Sequence, residues 1–184
     1  MLWSAQLLAI MSVVAFALAL IIFIRRAAKL LADTRETQRF RRRVTDLAPR
    51  VEASLDDVAA RVDGVRRHTL AAEAITHDIE TALAAVDAYT IEARALRSPA
   101  AGVEIRDAIV VELEHARRAL EMVEHGCGIL TAGGPGAREL EAQTAVKRGY
   151  INILHAREAL ARHATRGANL PGPEQRGLFA RRNA

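Results

Sequence analysis

The feature that most constrains the fold is a stripe of apolar and small residues that recurs at alternating intervals of four and three. An average spacing of about 3.5 residues keeps such a stripe on one face of an α-helix that packs against a partner helix. The pattern therefore predicts a coiled-coil helix over residues 49–97. The stripe consists of Val51, Leu55, Val58, Val62, Val65, Thr69, Ala72, Thr76, Ile79, Leu83, Val86, Thr90 and Ala93.

We expect this stripe to mediate self-association, because a second copy of the helix would bury a narrow apolar face. A flanking row beyond Thr69, formed by Ile75, Ala82, Tyr89 and Leu96, widens the face and favours packing in a bundle. The pattern leaves open a dimer or a higher oligomer, and an intramolecular bundle or an intermolecular coiled coil. The residues predicted to carry self-association are Val51, Leu55, Val58, Val62, Val65, Ile79, Leu83 and Val86.

The rest of the body also has helical patterns, and only 4% of the 184 residues are aromatic, which argues against a β-sandwich or barrel. Ser98 and Pro99 suit the start of a new helix. Apolar periodicity over 100–125 and 137–165 predicts two helices joined by a glycine-rich turn at 126–136. The predicted fold is all-α, with a helical hairpin over 98–166 packing on the coiled coil. Residues 167–184 are predicted to be a disordered basic tail.

The N-terminal segment has no charged residue from Leu2 to Ile24. A helix of this length rises about 35 Å, which suffices to cross a bilayer, so residues 1–24 are predicted to be a transmembrane helix. Residues 25–43 contain eight basic and two acidic side chains. By the positive-inside rule, the predicted location is a bacterial plasma (inner) membrane, single-pass, with the N-terminus outside and the C-terminal body cytoplasmic.

The basic side chains lie in a predicted juxtamembrane helix over 25–48, which we expect to end in a kink or break near Ala48 because Pro49 removes a helix hydrogen bond. A lipid bilayer is the predicted partner of this segment, since anionic headgroups attract clustered basic residues. Nucleic-acid binding is not expected, because no aromatic residues alternate with the arginines. The residues predicted at the membrane surface are Arg25, Arg26, Lys29, Arg39, Arg41, Arg42 and Arg43.

No motif in the sequence indicates catalysis, so no enzyme activity and no catalytic residue is predicted. Glu112 and His115 have the spacing used in di-metal bundles, but neighbouring stripe residues place His115 away from the core. The glycine-rich turn lacks the Gly-Lys-Ser/Thr ending of a phosphate-binding loop, and its Cys127 has no partner cysteine. We therefore predict no metal site and no cofactor.

The function favoured by these patterns is that of a membrane-anchored scaffold or adaptor, which acts through self-association and an unknown protein partner. The alternative is a membrane signalling or sensor module that relays a rearrangement of the helical bundle. The small, weakly apolar stripe residues between Thr69 and Thr76 would be the mobile part of such a relay.

Overall fold

The computed structural model describes the backbone of residues 2–132 and 136–172, and the side chains of residues 16–172 apart from 17, 30 and 133–137. These residues form four α-helices, which confirms the all-α prediction, and no strand occurs among them. Two short 3-10 helices, Ala72–Ile75 and Ala100–Gly102, precede the second and third α-helices. The α-helices are α1 (Leu2–Arg66), α2 (Thr76–Arg94), α3 (Val103–Thr131) and α4 (Gly136–Ala168).

The chain divides into two compact units. The bundle unit comprises residues Arg39–Leu170 and contains the C-terminal part of α1 together with α2, α3 and α4. The N-terminal unit comprises Met1–Gln38 and Pro171–Ala184. Residues 173–184, which include most of the predicted disordered tail, lie outside the described residues.

The predicted membrane location is contradicted within the described part of the chain, where no helix is long and apolar enough to cross a membrane. The transmembrane helix predicted at 1–24 is therefore unsupported, and the side chains of its first fifteen positions lie outside the described residues.

Helices α1 and α2 pack side by side in opposite directions. Near the end of α1, Arg61 forms an ion pair with Asp78 at the start of α2, with 3.4 Å between Nη1 and Oδ2. About two turns earlier in α1, the hydroxyl of Ser54 lies 3.1 Å from that of Tyr89, near the end of α2. Residue numbers fall along one helix as they rise along the other, so the pair is antiparallel.

Helices α3 and α4 are also antiparallel and lie very close together. A Cβ atom placed on Gly126 of α3 would stand 2.9 Å from the carbonyl oxygen of Ala142 in α4. A Cβ atom on Gly149 of α4 would stand 2.5 Å from Cγ2 of Val123 in α3. The two glycines therefore occupy places where the helix backbones approach too closely for a side chain.

The remaining neighbours close the bundle. Helix α3 packs on α2, where Arg94 of α2 forms a 2.6 Å ion pair with Glu114 of α3. Helix α4 returns along α1, where Arg157 forms an ion pair with Asp56 and Gly167 packs on Val44. The bundle unit is thus an up-down-up-down four-helix bundle, an arrangement that short connections favour.

The helix predicted over 49–97 is not continuous, because α1 ends at Arg66. His68 adopts a left-handed backbone conformation with φ 58°, and the Thr69 amide donates a hydrogen bond to the carbonyl oxygen of Gly64. The His68 amide donates to the carbonyl oxygen of Val65, which completes a Schellman cap. The cap ends the helix and redirects the chain. The sequence did not indicate this helix end, because the left-handed position is occupied by His68 and not by the usual glycine.

We predicted a kink or break near Ala48, and the helix does not break there, since α1 continues through Pro49. Proline costs this helix one hydrogen bond, but Leu47 and Val51 on either side are both buried. Tertiary packing therefore outweighs the local preference. The glycine-rich turn is also shorter than predicted, because α3 extends through Cys127 to Thr131.

Candidate functional site

The residues predicted to carry self-association lie in the core of a single chain. Leu55, Val62 and Val86 are fully buried, and Leu83 is half-buried against the same core. Self-association through this stripe stays a prediction, but it would require these side chains to leave the bundle. The remaining members, Val51, Val58, Val65 and Ile79, are 1–5% exposed.

The residues predicted at a membrane surface fall in both units. Arg25, Arg26 and Lys29 are exposed in the N-terminal unit. The other four, Arg39, Arg41, Arg42 and Arg43, lie in the first turns of the bundle unit. Arg41 differs from its neighbours because its guanidinium donates a hydrogen bond to the backbone carbonyl of Leu170, so it helps to hold the end of the chain segment that follows α4.

A basic groove of about 590 Å³ lies at one end of the bundle, between α1 and the connection that follows α2. Positions 39, 42 and 43 are three and four residues apart, so their side chains share one side of α1. Helix α2 ends at Arg94, and the next three residues form the opposite wall. We call this surface the arginine groove; it is lined by Arg39, Arg42, Arg43, Asp46, Ala95, Leu96 and Arg97.

The floor of the arginine groove is fixed by packing, whereas its charged groups are exposed. Leu96 is only 5% exposed and belongs to the bundle core, and its amide donates to the carbonyl oxygen of Ala93. Arg97 follows directly and is exposed. The buried leucine therefore fixes the position of the backbone from which Arg97 extends.

The charges in the groove are unbalanced. Its four arginines face a single acidic residue, Asp46, and none of the four forms an ion pair within the described part of the chain. Arginines a few residues away are paired: Arg50 donates to Glu92, which raises the pKa of that guanidinium, and Arg94 pairs with Glu114. The groove thus presents guanidinium groups that can donate to an incoming anion.

The sequence identified three of these arginines but missed Arg97. Arg97 is far from the basic cluster along the chain, and only the return of α2 brings the two together. The only local signal is its position just before Ser98 and Pro99, where a helix start was predicted. Nothing in the sequence indicates that the segment after α2 lies beside α1.

The pairs of glutamate and histidine lie on the surface. Nδ1 of His115 is 3.2 Å from Oε2 of Glu112, and Nδ1 of His77 is 3.9 Å from Oε2 of Glu80. Among the residues that the structure describes, no group of three or more histidine, cysteine or acidic side chains is placed to hold a metal ion. Glu112 and His115 instead border a groove of about 520 Å³ between α3 and α4, opposite His155.

Cys127, predicted to lie in a turn, is buried in the last part of α3. Burial raises the pKa of its thiol to about 11, with a smaller contribution from the negative charge of Glu73. The thiol is therefore protonated near neutral pH and is a poor nucleophile. Glu73 lines a further groove of about 610 Å³ at the other end of the bundle, beside His68 and Lys147.

Comparisons with known proteins identify no protein similar to this chain. No family model, no curated protein and no solved structure matches the chain. The class that the fold defines is a four-helix bundle with surface grooves, and its function is inferred from these features alone.

Proposed function

We propose that this chain is a non-enzymatic adaptor, a folded four-helix bundle that binds a protein partner on its outer surface. The observation that carries the proposal is the burial of most of the apolar stripe within one chain, where only Thr69 and Thr76 of the stripe are exposed. Leu55, Val62 and Val86 contact the chain's own core, so the bundle needs no second copy to bury them. Such a bundle is a self-contained platform, and its recesses open outward between helices.

The character of the surface supports this proposal. Exposed ion pairs join α1 to α2, α2 to α3, and α4 to α1, while the buried core holds the helices together. Between these ion pairs lie grooves and isolated exposed apolar side chains, of which Ile91 in α2 and Leu140 in α4 are each 68% exposed. Single exposed apolar side chains occur on most protein surfaces, so the grooves, rather than these two residues, support the proposal.

Site-specific photo-crosslinking in cells tests the proposal. A photoreactive amino acid is placed in turn at Ile91, at Leu140 and at Arg97, and crosslinked proteins are identified by mass spectrometry. An adaptor should give one recurrent partner from one face of the bundle and not from the others. The proposal is wrong if no position yields a protein other than the chain itself.

The homo-oligomer that the apolar stripe predicts is tested by a separate measurement. The mass of the purified chain is measured by light scattering over a range of concentrations. A monomer would place the adaptor function in a single bundle, and a stable oligomer would require an interface on the outer surface. A scaffold that acts through the stripe itself requires opening of the bundle, which would show as a concentration-dependent unfolding midpoint.

A further inference from the structure

We propose that the arginine groove is the partner site, and that its ligand is an acidic segment of a protein, a stretch in which aspartate and glutamate side chains cluster. This inference rests on the adaptor function and names the chemistry of the partner. The groove has four guanidinium groups against one carboxylate, so its local formal charge is +3. The sign of that charge selects a ligand with several negative charges.

The four arginines form no ion pair with any described residue, which indicates that their guanidinium groups are available to a ligand. Arg94 and Arg97 are one helical turn apart in sequence, yet Arg94 binds Glu114 and Arg97 has no acidic partner among the described residues. On α1, Arg50 binds Glu92, whereas Arg43 lines the groove with no ion pair among the described residues. Single arginines without an ion pair also occur elsewhere in the described bundle, such as Arg148 and Arg166 in α4, but the groove gathers four of them around one carboxylate.

The shape of the groove favours an extended acidic segment over other polyanions. Arg39, Arg42 and Arg43 form one wall and Arg97 stands on the other, so a narrow chain lying between them meets both walls. Bidentate pairing of guanidinium with carboxylate suits this geometry. The lining has no aromatic side chain on which a nucleic-acid base would stack.

The buried floor makes the groove a fixed feature of the bundle. Leu96 and Phe40 both belong to the core, and Phe40 lies against Gly102 at the start of α3. These contacts hold α1 and the connection that follows α2 in place. The ligand therefore meets arginines mounted on a preformed scaffold, which lowers the entropic cost of binding.

Binding of a fluorescein-labelled oligoglutamate peptide to the full chain, measured by fluorescence anisotropy, tests this inference. We expect binding that weakens as salt is raised, and no binding of an uncharged glycine–serine peptide of equal length. The double variant Arg42→Gln/Arg97→Gln should lose about tenfold or more in affinity. The matched control is Arg148→Gln/Arg166→Gln, which removes the same charge from exposed arginines of α4 outside the groove and should leave affinity within about twofold.

Two results would overturn the inference. One is an equal loss in both double variants, which would show that net charge alone attracts the peptide. The other is tighter binding of a single-stranded oligonucleotide, or of vesicles rich in anionic lipid, with the same dependence on Arg42 and Arg97. All four substituted side chains are exposed, so both variants should fold as the original chain does. Circular dichroism of each variant checks that the bundle is intact.

The crosslinking experiment separates this inference from the adaptor function. If a partner is captured equally by the chain with and without Arg42→Gln/Arg97→Gln, the adaptor function stands and the arginine groove is not its site. If no partner is captured, the adaptor function fails even where the peptide binds.

Discussion

Gly149 on α4 lies so close to Val123 on α3 that a Cβ atom on the glycine would stand 2.5 Å from Cγ2 of the valine. The same atom would be 2.8 Å from the carbonyl oxygen of Ala119, which belongs to the rigid backbone of α3. The valine rotamer alone cannot relieve both contacts. The short distance between α3 and α4 along this part of the bundle therefore depends on glycine at position 149, which has no Cβ atom.

Gly149→Ala should destabilise the bundle by about 1–3 kcal/mol, because the helices must move apart to admit the methyl group. The free energy of unfolding is measured by urea titration followed by circular dichroism. Gly128→Ala is the matched control, since it lies in α3 with no atom within 4 Å of the new Cβ. That variant should gain up to about 1 kcal/mol from helix propensity. Similar changes in the two variants would contradict the close approach.

The stripe from Val51 to Ala93 predicted the all-α fold and nine of the buried core residues, because burial of one helix face imposes the period that the sequence displays. It did not predict what covers that face. A partner helix from the same chain and one from a second copy require the same spacing, and only the return of α3 and α4 distinguishes them. The same limit applies to the arginine groove. The sequence shows Arg39, Arg42 and Arg43 as one basic cluster, but only the tertiary structure brings Arg97 close to them.

Val62 is fully buried in the single chain, so its replacement should unfold the bundle rather than separate folded monomers. Val62→Ala should cost about 2 kcal/mol through lost burial and a residual cavity. Val62→Asp should abolish the cooperative transition, because a buried carboxylate would have no partner.

Urea midpoints measured at several protein concentrations decide whether this core is intramolecular. An intramolecular core predicts a midpoint that does not change with concentration. Ile91→Ala serves as the control at an exposed position and should shift stability by less than about 0.5 kcal/mol. A folded monomer produced by Val62→Asp would instead support the intermolecular coiled coil.

His68 caps α1 in the left-handed region, which costs a residue with a Cβ atom about 1–2 kcal/mol. His68→Gly should therefore stabilise the bundle by about 1 kcal/mol, measured as a rise in the thermal or urea midpoint. His68→Ala keeps the Cβ atom and removes the imidazole, so it is the matched control and should give no such gain. Equal stabilisation by glycine and alanine would show that the imidazole, not the backbone, is responsible.

Cys127 should react slowly with iodoacetamide in the folded protein, because burial raises the pKa of its thiol to about 11. Near pH 8 only about one thiol in 1,000 is then ionised, compared with about one in ten for a pKa of 9. Labelling, followed by mass spectrometry, should be about 100-fold slower than in urea and should accelerate with pH up to about 11.

The same pKa shift makes the bundle less stable in alkali. The folded-state pKa lies above the unfolded value near 9, so the protonated thiol stabilises the fold below pH 9 and this contribution falls as pH rises toward 11. Glu73→Gln removes the smaller cause of the shift, so its labelling profile should move slightly toward lower pH. A profile for the original chain that levels off near pH 9 would show that the thiol reacts from an opened bundle, which would contradict labelling of the buried thiol in place.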